Sequence, residues 1–333
     1  MLDIGKKISE KDICPDDLLR GQEQAYMRDI KNLQKQKKQF VKVKCPACAS
    51  KNFFFVFKKY EFSFQECNIC KTIFMSPRPS KKLMSEYYQD SENYKYWAKF
   101  IFPRSEKVRK DNIHKLWLSR IKKYLKNKTG SSILEVGSGF GTFGSLIRKD
   151  KTFKSYVGLE PSKELFDICI KKGLDVKNLK LEEFSESKKK FDIVTSFEVI
   201  EHTFSPYKFL KKIKLNLKKR GLLFLSCPNG KGFDINVLKE RSQAIDSEHV
   251  NLFNTNSISL LLSKLNFETI DVFTPGRLDA EIVRDEAIKN GFKLDPFLKK
   301  ILIDSWDELG WSFQKFIAEN KMSSHMWVVA RSK

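Results

Sequence analysis

Two acidic residues and two histidines have the types and spacing expected for proton transfer or for binding a divalent cation. Glu198, Glu201 and His202 form the pattern E-x-x-E-H directly after an apolar run, and His249 follows later in the chain. An imidazole can act as a general base near neutral pH. Carboxylates and imidazoles together can instead bind a divalent cation that positions an acceptor hydroxyl. A third interpretation, that Glu201 and His202 only shape a loop, also stays open.

Four of the seven cysteines form two C-x-x-C pairs with the spacing of a zinc site. Cys45 pairs with Cys48 and Cys67 with Cys70, and eighteen residues separate the pairs, enough for a β-hairpin. Each pair presents two thiolates, so that two pairs complete a tetrahedral structural zinc site. A redox role is disfavoured because redox C-x-x-C motifs open a helix in a βαβ unit. The other cysteines lack this spacing; they are Cys14, Cys169 and Cys227.

A glycine-rich turn follows the apolar residues 133–136, with glycines at 137, 139 and 141. Glycine permits a positive φ and lets a ligand approach the backbone closely. Glu135 lies two residues before the first glycine, and Glu160 ends the next apolar run. A carboxylate at the end of such a run can accept both hydroxyls of a ribose. A nicotinamide- or flavin-binding loop would explain the glycines and Glu160, but not Glu135.

The elements that position these residues alternate regularly from Ser131 onward, which predicts βαβ units and a parallel sheet. A helix is predicted at 257–265. Ligands bind at the carboxyl ends of strands in such sheets, so the glycine turn, Glu160 and the E-x-x-E-H residues are expected at one edge. The predicted strands are 133–136, 156–159, 174–176 (weak), 191–196, 222–226, 267–273 and 326–330.

The composition limits the class of protein. The 333 residues are 41% hydrophobic, which supports one full core and a smaller appendage. The net charge is +22, but only 12 of the 63 basic residues are arginine, the residue preferred for phosphate and guanine contacts. We therefore favour a solvated lysine-rich surface over a nucleic-acid interface. No run approaches the ~18 apolar residues of a membrane span, and no signal peptide is visible; we expect a soluble cytoplasmic protein.

The motifs together resemble the class I S-adenosylmethionine-dependent methyltransferases. They are E-x-G-x-G-x-G from Glu135, the acidic Glu160, F-D-x-V from Phe191, and P-N at Pro228. The resemblance implies an α/β fold: a Rossmann-like sheet with helices on both faces and S-adenosylmethionine over the strand ends. Glu160 would bind the ribose, and an adenine contact is expected within 178–182. The residues implied to bind the cofactor are Glu135, Gly137, Ser138, Gly139, Gly141, Glu160, Pro161 and Phe197.

The E-x-x-E-H pattern resembles that of plant small-RNA 2′-O-methyltransferases and of some ubiquinone-pathway O-methyltransferases. This resemblance implies that a second divalent cation binds at the side chains named above. The four candidate catalytic residues, as base or as cation ligands, are His202, His249, Glu198 and Glu201.

The N-terminal part resembles bacterial methyltransferases with a zinc-binding domain, many of which act in surface-polysaccharide pathways. The resemblance lies in residues 67–94, with C-x-x-C, F-x-x-P-R-P-S and E-x-Y. It implies a small-molecule acceptor, a sugar or nucleotide-linked sugar; an RNA methyltransferase and a non-catalytic scaffold are the alternatives. The expected organisation is a helical extension (1–44), a zinc ribbon (45–75), a helical linker (76–128) and a methyltransferase domain (129–333) with a helical insert at about 275–325.

Overall fold

The structure is a computed structural model that describes residues 2–126, 128–184 and 190–333. Its strands, in chain order, are β1 (Phe40–Val41), β2 (Phe53–Lys59), β3 (Phe62–Cys67), β4 (Ile73–Met75), β5 (Arg78–Pro79), β6 (Ser131–Val136), β7 (Phe153–Leu159), β8 (Val176–Lys177), β9 (Phe191–Phe197), β10 (Leu217–Pro228), β11 (Asn251–Leu252), β12 (Phe267–Phe273) and β13 (His325–Ser332).

The helices lie between and around these strands. They are α1 (Glu10–Ile13), α2 (Asp16–Lys35), α3 (Lys81–Asp90), α4 (Glu92–Tyr96), α5 (Phe102–Arg109), α6 (Lys115–Leu125), α7 (Thr142–Lys149), α8 (Lys163–Lys171), α9 (Pro206–Asn216), α10 (Phe233–Leu238), α11 (Thr255–Lys264), α12 (Asp279–Asn290), α13 (Pro296–Lys299) and α14 (Trp311–Glu319). Within the described ranges, no helix is both long and apolar enough to cross a membrane.

Seven strands form the main sheet in the order β12-β13-β10-β9-β6-β7-β8. The strands from β10 to β8 pair in parallel, whereas β13 is antiparallel to both β10 and β12. The α/β class is confirmed, but the expectation of a parallel sheet is wrong at this one strand. Because β13 runs in the opposite direction, its first residue lies at the edge where β9 and β10 end.

Helices cover both faces of the main sheet, as the resemblance to class I methyltransferases implied. Leu134 packs on one face with Phe209 of α9 and Leu261 of α11, whereas the adjacent Ile133 packs on the other with Phe143 of α7. Both faces of the central strands are therefore buried. This burial explains why these strands read as continuous apolar runs and not as alternating patterns.

A second, four-stranded sheet has the order β11-β4-β3-β2. Its hairpin of β2 and β3 turns at Tyr60 and Glu61, which both have positive φ, as a two-residue type I′ turn requires. β4 follows the second cysteine pair, and its Phe74 pairs with Asn251 of β11. The four-cysteine segment thus shares a sheet with β11, a strand that lies between β10 and β12 in the chain.

A long helical segment, from α4 through α5 to α6, connects the N-terminal region with the main sheet. A π-helical turn at Trp97–Ile101 joins α4 to α5 and directly precedes Phe102 and Pro103. Proline has no N–H for an α-helical hydrogen bond, and a π-turn or bend is the usual accommodation. At the other end, Ile121 of α6 is fully buried against the sheet.

The chain between β12 and β13 forms helices α12, α13 and α14. They pack against α10 through a cluster that includes Phe233, Val283 and Ile317. The buried carboxylate of Asp279, at the start of α12, accepts hydrogen bonds from Gln314 Nε2 (2.9 Å) and Ser323 Oγ (2.7 Å). These bonds fix the segment that leads into β13 and so position the first residues of that strand.

Candidate functional site

The residues of the E-x-x-E-H pattern lie where β9 ends. Phe197 is the last residue of the strand, and Glu198 has a φ of 54°, in the left-handed region. A 3₁₀ turn at Ile200–His202 follows. Glu201 and His202 therefore lie at the carboxyl edge of the main sheet, where open α/β sheets bind their ligands.

Backbone carbonyls orient the two histidines of the predicted site. His202 Nδ1 lies 3.2 Å from the carbonyl oxygen of Glu248, and His249 Nδ1 lies 3.0 Å from that of Ala244. A carbonyl oxygen only accepts, so each Nδ1 carries a proton and each Nε2 keeps its lone pair in the neutral ring. The ring centroids are 4.8 Å apart. Metal-binding histidines are typically oriented in this way.

Glu201 is a fully buried carboxylate, and its two oxygens have no hydrogen-bond partner within the described ranges. Burial, and then the charge of Glu198, raises its pKa well above the ordinary value, because an unpaired buried carboxylate is unfavourable when ionised. Ligand atoms of Glu201, His202 and His249 all lie within 4.8 Å of one another. We call these three side chains the triad. A divalent cation among them would pair all three at once.

The two imidazoles of the triad differ in basicity. Burial, followed by the neighbouring His249, lowers the pKa of His202 to about 3. His202 is therefore neutral at physiological pH, which suits a metal ligand better than a general base. Burial acts in the same direction on His249, but Asp246 and the carbonyl of Ala244 outweigh it and raise its pKa.

Glu198 lies outside the triad and pairs with a histidine that the sequence interpretation missed. Its Oε1 is 3.1 Å from Nε2 of His325, the first residue of β13. The Ser226 hydroxyl donates to the same oxygen at 2.5 Å. Desolvation disfavours ionisation of Glu198, whose side chain is 42% exposed, but His325 and Ser226 outweigh it and keep its pKa below the ordinary value. The signal that could have revealed His325 is its position directly before the last predicted strand.

The glycine turn has the backbone that its sequence predicted. Gly137, Gly139 and Gly141 have φ values of 83°, 53° and 72°, which favour glycine strongly. A side chain at Gly139 would meet nothing within 4 Å, whereas one at Gly137 would collide with Val199. Open space therefore lies over the middle of the turn, beside the N-terminus of α7.

Two buried carboxylates lie under and beside this turn. Glu135 accepts a hydrogen bond from Tyr156 Oη at 2.5 Å, and Tyr156 Oη is 3.2 Å from Ser138 Oγ. Burial raises the pKa of Glu135 to about 8. Glu160 accepts from the backbone N–H of Gly139 at 2.7 Å and of Ser162 at 2.9 Å, and burial raises its pKa to about 7. A ligand with hydroxyl or ammonium donors would supply the missing partners of both carboxylates.

The remaining predicted site residues lie on either side of the glycine turn. Asn178 Nδ2 donates to the carbonyl oxygens of Glu160 and Pro161, at 2.9 and 3.0 Å, and so joins the end of β7 to the segment after β8. Phe197 is buried in an aromatic cluster, with ring centroids 4.4 Å from Trp117 and 4.9 Å from Trp327. Its side chain therefore belongs to the core under the edge of the sheet.

The linker helix α5 lies over the glycine turn, a contact that the sequence did not indicate. Glu106 accepts a hydrogen bond from Thr142 Oγ1 at 3.1 Å and from Lys172 Nζ at 2.5 Å. Phe102 packs on Phe140, within the turn, at a centroid distance of 5.5 Å. The N-terminal region thus forms one wall of the open space over the turn.

The four predicted cysteines come together at the base of the small sheet. Sγ of Cys45 is 3.4 Å from that of Cys70, and Sγ of Cys48 is 3.4 Å from that of Cys67. All four sulfurs lie within 4.8 Å of one another. A tetrahedral zinc with bonds of about 2.3 Å places its sulfurs about 3.8 Å apart, so the cluster has the dimensions of such a site.

The two cysteine turns have the same backbone geometry. Cys45 N–H donates to the carbonyl of Ser50, and Cys67 N–H donates to that of Thr72. The fourth residue after each of these cysteines has a positive φ and donates its N–H back to the cysteine carbonyl; these residues are Ala49 and Lys71.

Arg78 and Asn251 connect the small sheet to the loops that carry the triad. Arg78 is 1% exposed; its Nη2 donates to the carbonyl of Val250 (3.0 Å) and its Nη1 to Asn251 Oδ1 (2.8 Å). Asn251 Nδ2 in turn donates to the carbonyls of Glu201 (3.2 Å) and Thr203 (2.7 Å). The loop of Glu201 and the loop of His249 are therefore both fixed against the four-cysteine segment.

Comparison with known families and sequences identifies the type of domain. Residues 108–272 match the model of a family described as a methyltransferase domain. Over 210 residues the chain is 24% identical to an uncharacterised protein of Methanocaldococcus jannaschii, across 63% of this chain and 94% of that protein. Over 111 residues it is 27% identical to a ubiquinone biosynthesis O-methyltransferase of Actinobacillus pleuropneumoniae. That match spans 30% of this chain and 47% of the relative.

A solved structure shows the same fold. The plantazolicin methyltransferase BpumL, in complex with SAH, superimposes with a TM-score of 0.50 at 16% sequence identity. The superposition covers 76% of this chain and 95% of that one.

Proposed function

Since the chain is an S-adenosylmethionine-dependent methyltransferase with a class I domain, we propose that it methylates a hydroxyl oxygen of a small-molecule acceptor bound at the triad. The observation that carries this proposal is Glu201, a fully buried carboxylate without a partner within the described ranges, beside two histidines that keep Nε2 free. Two histidines and a carboxylate form a recurrent ligand set for divalent cations with open positions. A bound cation would supply Lewis-acid polarisation and a fixed place for the acceptor oxygen.

The glycine turn and the two acidic residues beside it fit the donor. S-adenosylmethionine supplies an activated methyl group, so the protein has only to bind and align it. Glu160 would accept the ribose hydroxyls with the lone pairs that Gly139 and Ser162 leave unused. Glu135, with the turn, would lie at the methionine end. Asn178 would border the adenine, because it already joins the ends of β7 and β8.

Replacement of Glu160 tests the donor site. We expect Glu160→Ala to weaken binding of S-adenosylhomocysteine by about 10²–10⁴-fold, because two hydrogen bonds to a charged acceptor are lost at about 1.5–3 kcal/mol each. Isothermal titration calorimetry measures this change, and Glu319→Gln, at the exposed last residue of α14, is the control. Unchanged affinity in Glu160→Ala would contradict the assignment of Glu160 to the ribose.

The four-cysteine cluster fits a structural zinc ion. The donors are four sulfurs with tetrahedral dimensions and matching backbone turns. Four protein ligands leave no open position, which distinguishes a structural from a catalytic site. We propose that zinc at this cluster fixes β4 and, through Arg78 and Asn251, the two loops of the triad.

The choice of oxygen as the methylated atom has two supports. The cation-binding geometry of the triad suits an acceptor hydroxyl better than a carbon or an amine nucleophile. The ubiquinone biosynthesis O-methyltransferases that match part of this chain are, by name, oxygen-methylating enzymes. A sugar or nucleotide-linked sugar of a surface-polysaccharide pathway is the acceptor class that the N-terminal resemblance implies, and we propose it on that basis.

The test is transfer of a labelled methyl group from S-adenosylmethionine to defined hydroxyl acceptors. The 333-residue chain is assayed with UDP-glucose and with 3,4-dihydroxybenzoate, before and after removal of loosely bound metal by a chelator and return of Mn²⁺. We expect label in the small-molecule fraction, lost with the chelator and regained with Mn²⁺. Transfer that is indifferent to the chelator would contradict the role of the triad. If no label is transferred although S-adenosylhomocysteine binds normally, the non-catalytic scaffold alternative would be favoured.

An RNA acceptor is the second candidate, on the basis of the net charge of +22. Phosphate contacts make nucleic-acid affinity fall steeply with salt. Affinity for a mixed RNA sample, measured by filter binding between about 50 and 200 mM salt, distinguishes the two candidates. A decrease in RNA affinity of about 10³-fold or more, with label transferred to RNA, would replace the small-molecule proposal. Weak RNA binding that does not change with salt would support the small-molecule proposal.

A further inference from the structure

His325 lies at the active edge of the main sheet because of the direction of β13. In the antiparallel pair of β10 and β13, His325 is opposite Pro228, and Ser226 is opposite Trp327. β10 pairs in parallel with β9, which Glu198 follows. Three adjacent strands therefore bring His325, Ser226 and Glu198 together at the edge that carries the triad.

The environment of His325 differs from that of the two other histidines at this edge. Its Nε2 faces a carboxylate oxygen of Glu198 at 3.1 Å, so Nε2 carries the proton and donates it. Its Nδ1 has no hydrogen-bond partner within the described ranges. The side chain is 32% exposed, against 16% for His202 and 20% for His249. The lone pair of His325 Nδ1 is therefore unused in a partly exposed side chain, whereas His202 and His249 each have a ring nitrogen within 4.8 Å of a carboxylate oxygen of Glu201.

Glu198 is built to orient that imidazole. Its N–H donates to the carbonyl of Ser226, and its Oε1 accepts from the Ser226 hydroxyl, so that both ends of the residue are fixed to β10. A carboxylate that accepts from one ring nitrogen selects the tautomer with the other nitrogen unprotonated, and it stabilises the imidazolium that forms. The carboxylate orients the imidazole, and the second ring nitrogen is left to accept a proton, as general-base catalysis requires.

We propose that His325 is the general base of the methyl transfer and that Glu198 is its positioning residue; this inference rests on the proposed function. Nδ1 of His325 takes the proton of the acceptor hydroxyl. The acceptor oxygen forms a bond to the methyl carbon as the carbon–sulfur bond breaks, and the electron pair of that bond stays on sulfur. The products are the methyl ether, neutral S-adenosylhomocysteine and an imidazolium paired with Glu198. The triad positions the acceptor, and His325 removes its proton.

The test compares wild type with His325→Ala and His325→Gln in the labelled transfer assay, with UDP-glucose and 3,4-dihydroxybenzoate as acceptors. We expect kcat to fall by about 10²–10⁴-fold, the range for loss of a general base, with KM for S-adenosylmethionine unchanged. Added imidazole should restore part of the rate of His325→Ala and none of that of His325→Gln, whose side chain fills the space. Glu198→Gln should lower kcat less, without rescue by imidazole.

Two binding measurements accompany these rates. S-adenosylhomocysteine affinity and the stoichiometry of Mn²⁺ should be the same in both His325 variants and in wild type. If wild type is active and both His325 variants are equally active, the general-base role of His325 is overturned while the proposed function stands. The same conclusion follows if the variants lose activity together with Mn²⁺, or if imidazole does not restore the rate of His325→Ala. An inactive wild type that binds S-adenosylhomocysteine would overturn the proposed function and, with it, the need for a base.

Discussion

Replacement of Glu201 by glutamine is expected to abolish binding of a divalent cation at the triad and, with it, methyl transfer. With a cation bound, Glu201 would contribute the negative charge of the site, and the two imidazoles would be neutral ligands. Loss of groups that merely support a metal site lowers affinity 10–100-fold, so loss of a charged ligand should lower Mn²⁺ affinity by at least ~100-fold. Electron paramagnetic resonance of Mn²⁺ titrated into the zinc-loaded protein measures the free ion directly.

The same substitution has an opposite expected effect on the stability of the metal-free protein. The pKa of Glu201 is raised in the folded state. The free energy of unfolding therefore decreases as pH rises above the pKa that Glu201 has in the unfolded state, because only the unfolded state ionises it freely. Glutamine cannot ionise, and Glu201→Gln without metal should therefore be at least as stable near pH 8 as wild type. Glu198→Gln is the matched control and should keep Mn²⁺. Full Mn²⁺ affinity in Glu201→Gln, or its loss only in Glu198→Gln, would contradict the triad.

Replacement of Cys67 by serine is expected to remove zinc and to disrupt the triad at a distance. Cys67 is fully buried, and its Sγ lies 3.4 Å from that of Cys48. Zinc binding supplies about 10–16 kcal/mol to the folding of small zinc modules, so three thiolates should leave the ribbon unfolded. β4 would then no longer pair with β11, and Arg78 would no longer fix Val250 and Asn251.

Three measurements follow this prediction. Elemental analysis should give about one zinc per chain in wild type and none in Cys67→Ser. Mn²⁺ affinity at the triad should fall, while S-adenosylhomocysteine still binds at the glycine turn. Cys14→Ser is the control, because Cys14 is also buried but lies outside the cysteine cluster. A zinc-free variant that keeps normal Mn²⁺ affinity and methyl transfer would show that the ribbon is a separate module.

The elements of the main sheet could be predicted from sequence, because strands buried on both faces are continuous apolar runs with sharp ends. The segment 267–273 coincides with β12, and 133–136 lies within β6. The direction of β13 could not be derived from its own residues, since an apolar strand reads the same in either orientation. The pairing of β11 with β4 joins segments more than 170 residues apart, and two residues carry no strand pattern.

The site was predictable to the extent that its residues are close in sequence. Glu201 and His202 directly follow one predicted strand, and the spacing of the four cysteines by itself predicts a zinc site. His325, Arg78 and Asn251 reach the site only through tertiary contacts. Glu198 illustrates the difference: its spacing groups it with Glu201 and His202, but the left-handed backbone and Ser226 pair it with His325 instead.

A crystal structure of the 333-residue chain with S-adenosylhomocysteine and Mn²⁺ tests the central claim most directly. Data collected near the manganese edge separate Mn²⁺ from ribbon zinc, because thiolate sites select zinc and mixed nitrogen–oxygen sites accept manganese. We expect the ribose at Glu160 and an anomalous peak within bonding distance of Glu201, His202 Nε2 and His249 Nε2. S-adenosylhomocysteine bound at full occupancy, with zinc in the ribbon but no anomalous density among these three side chains, would contradict the account.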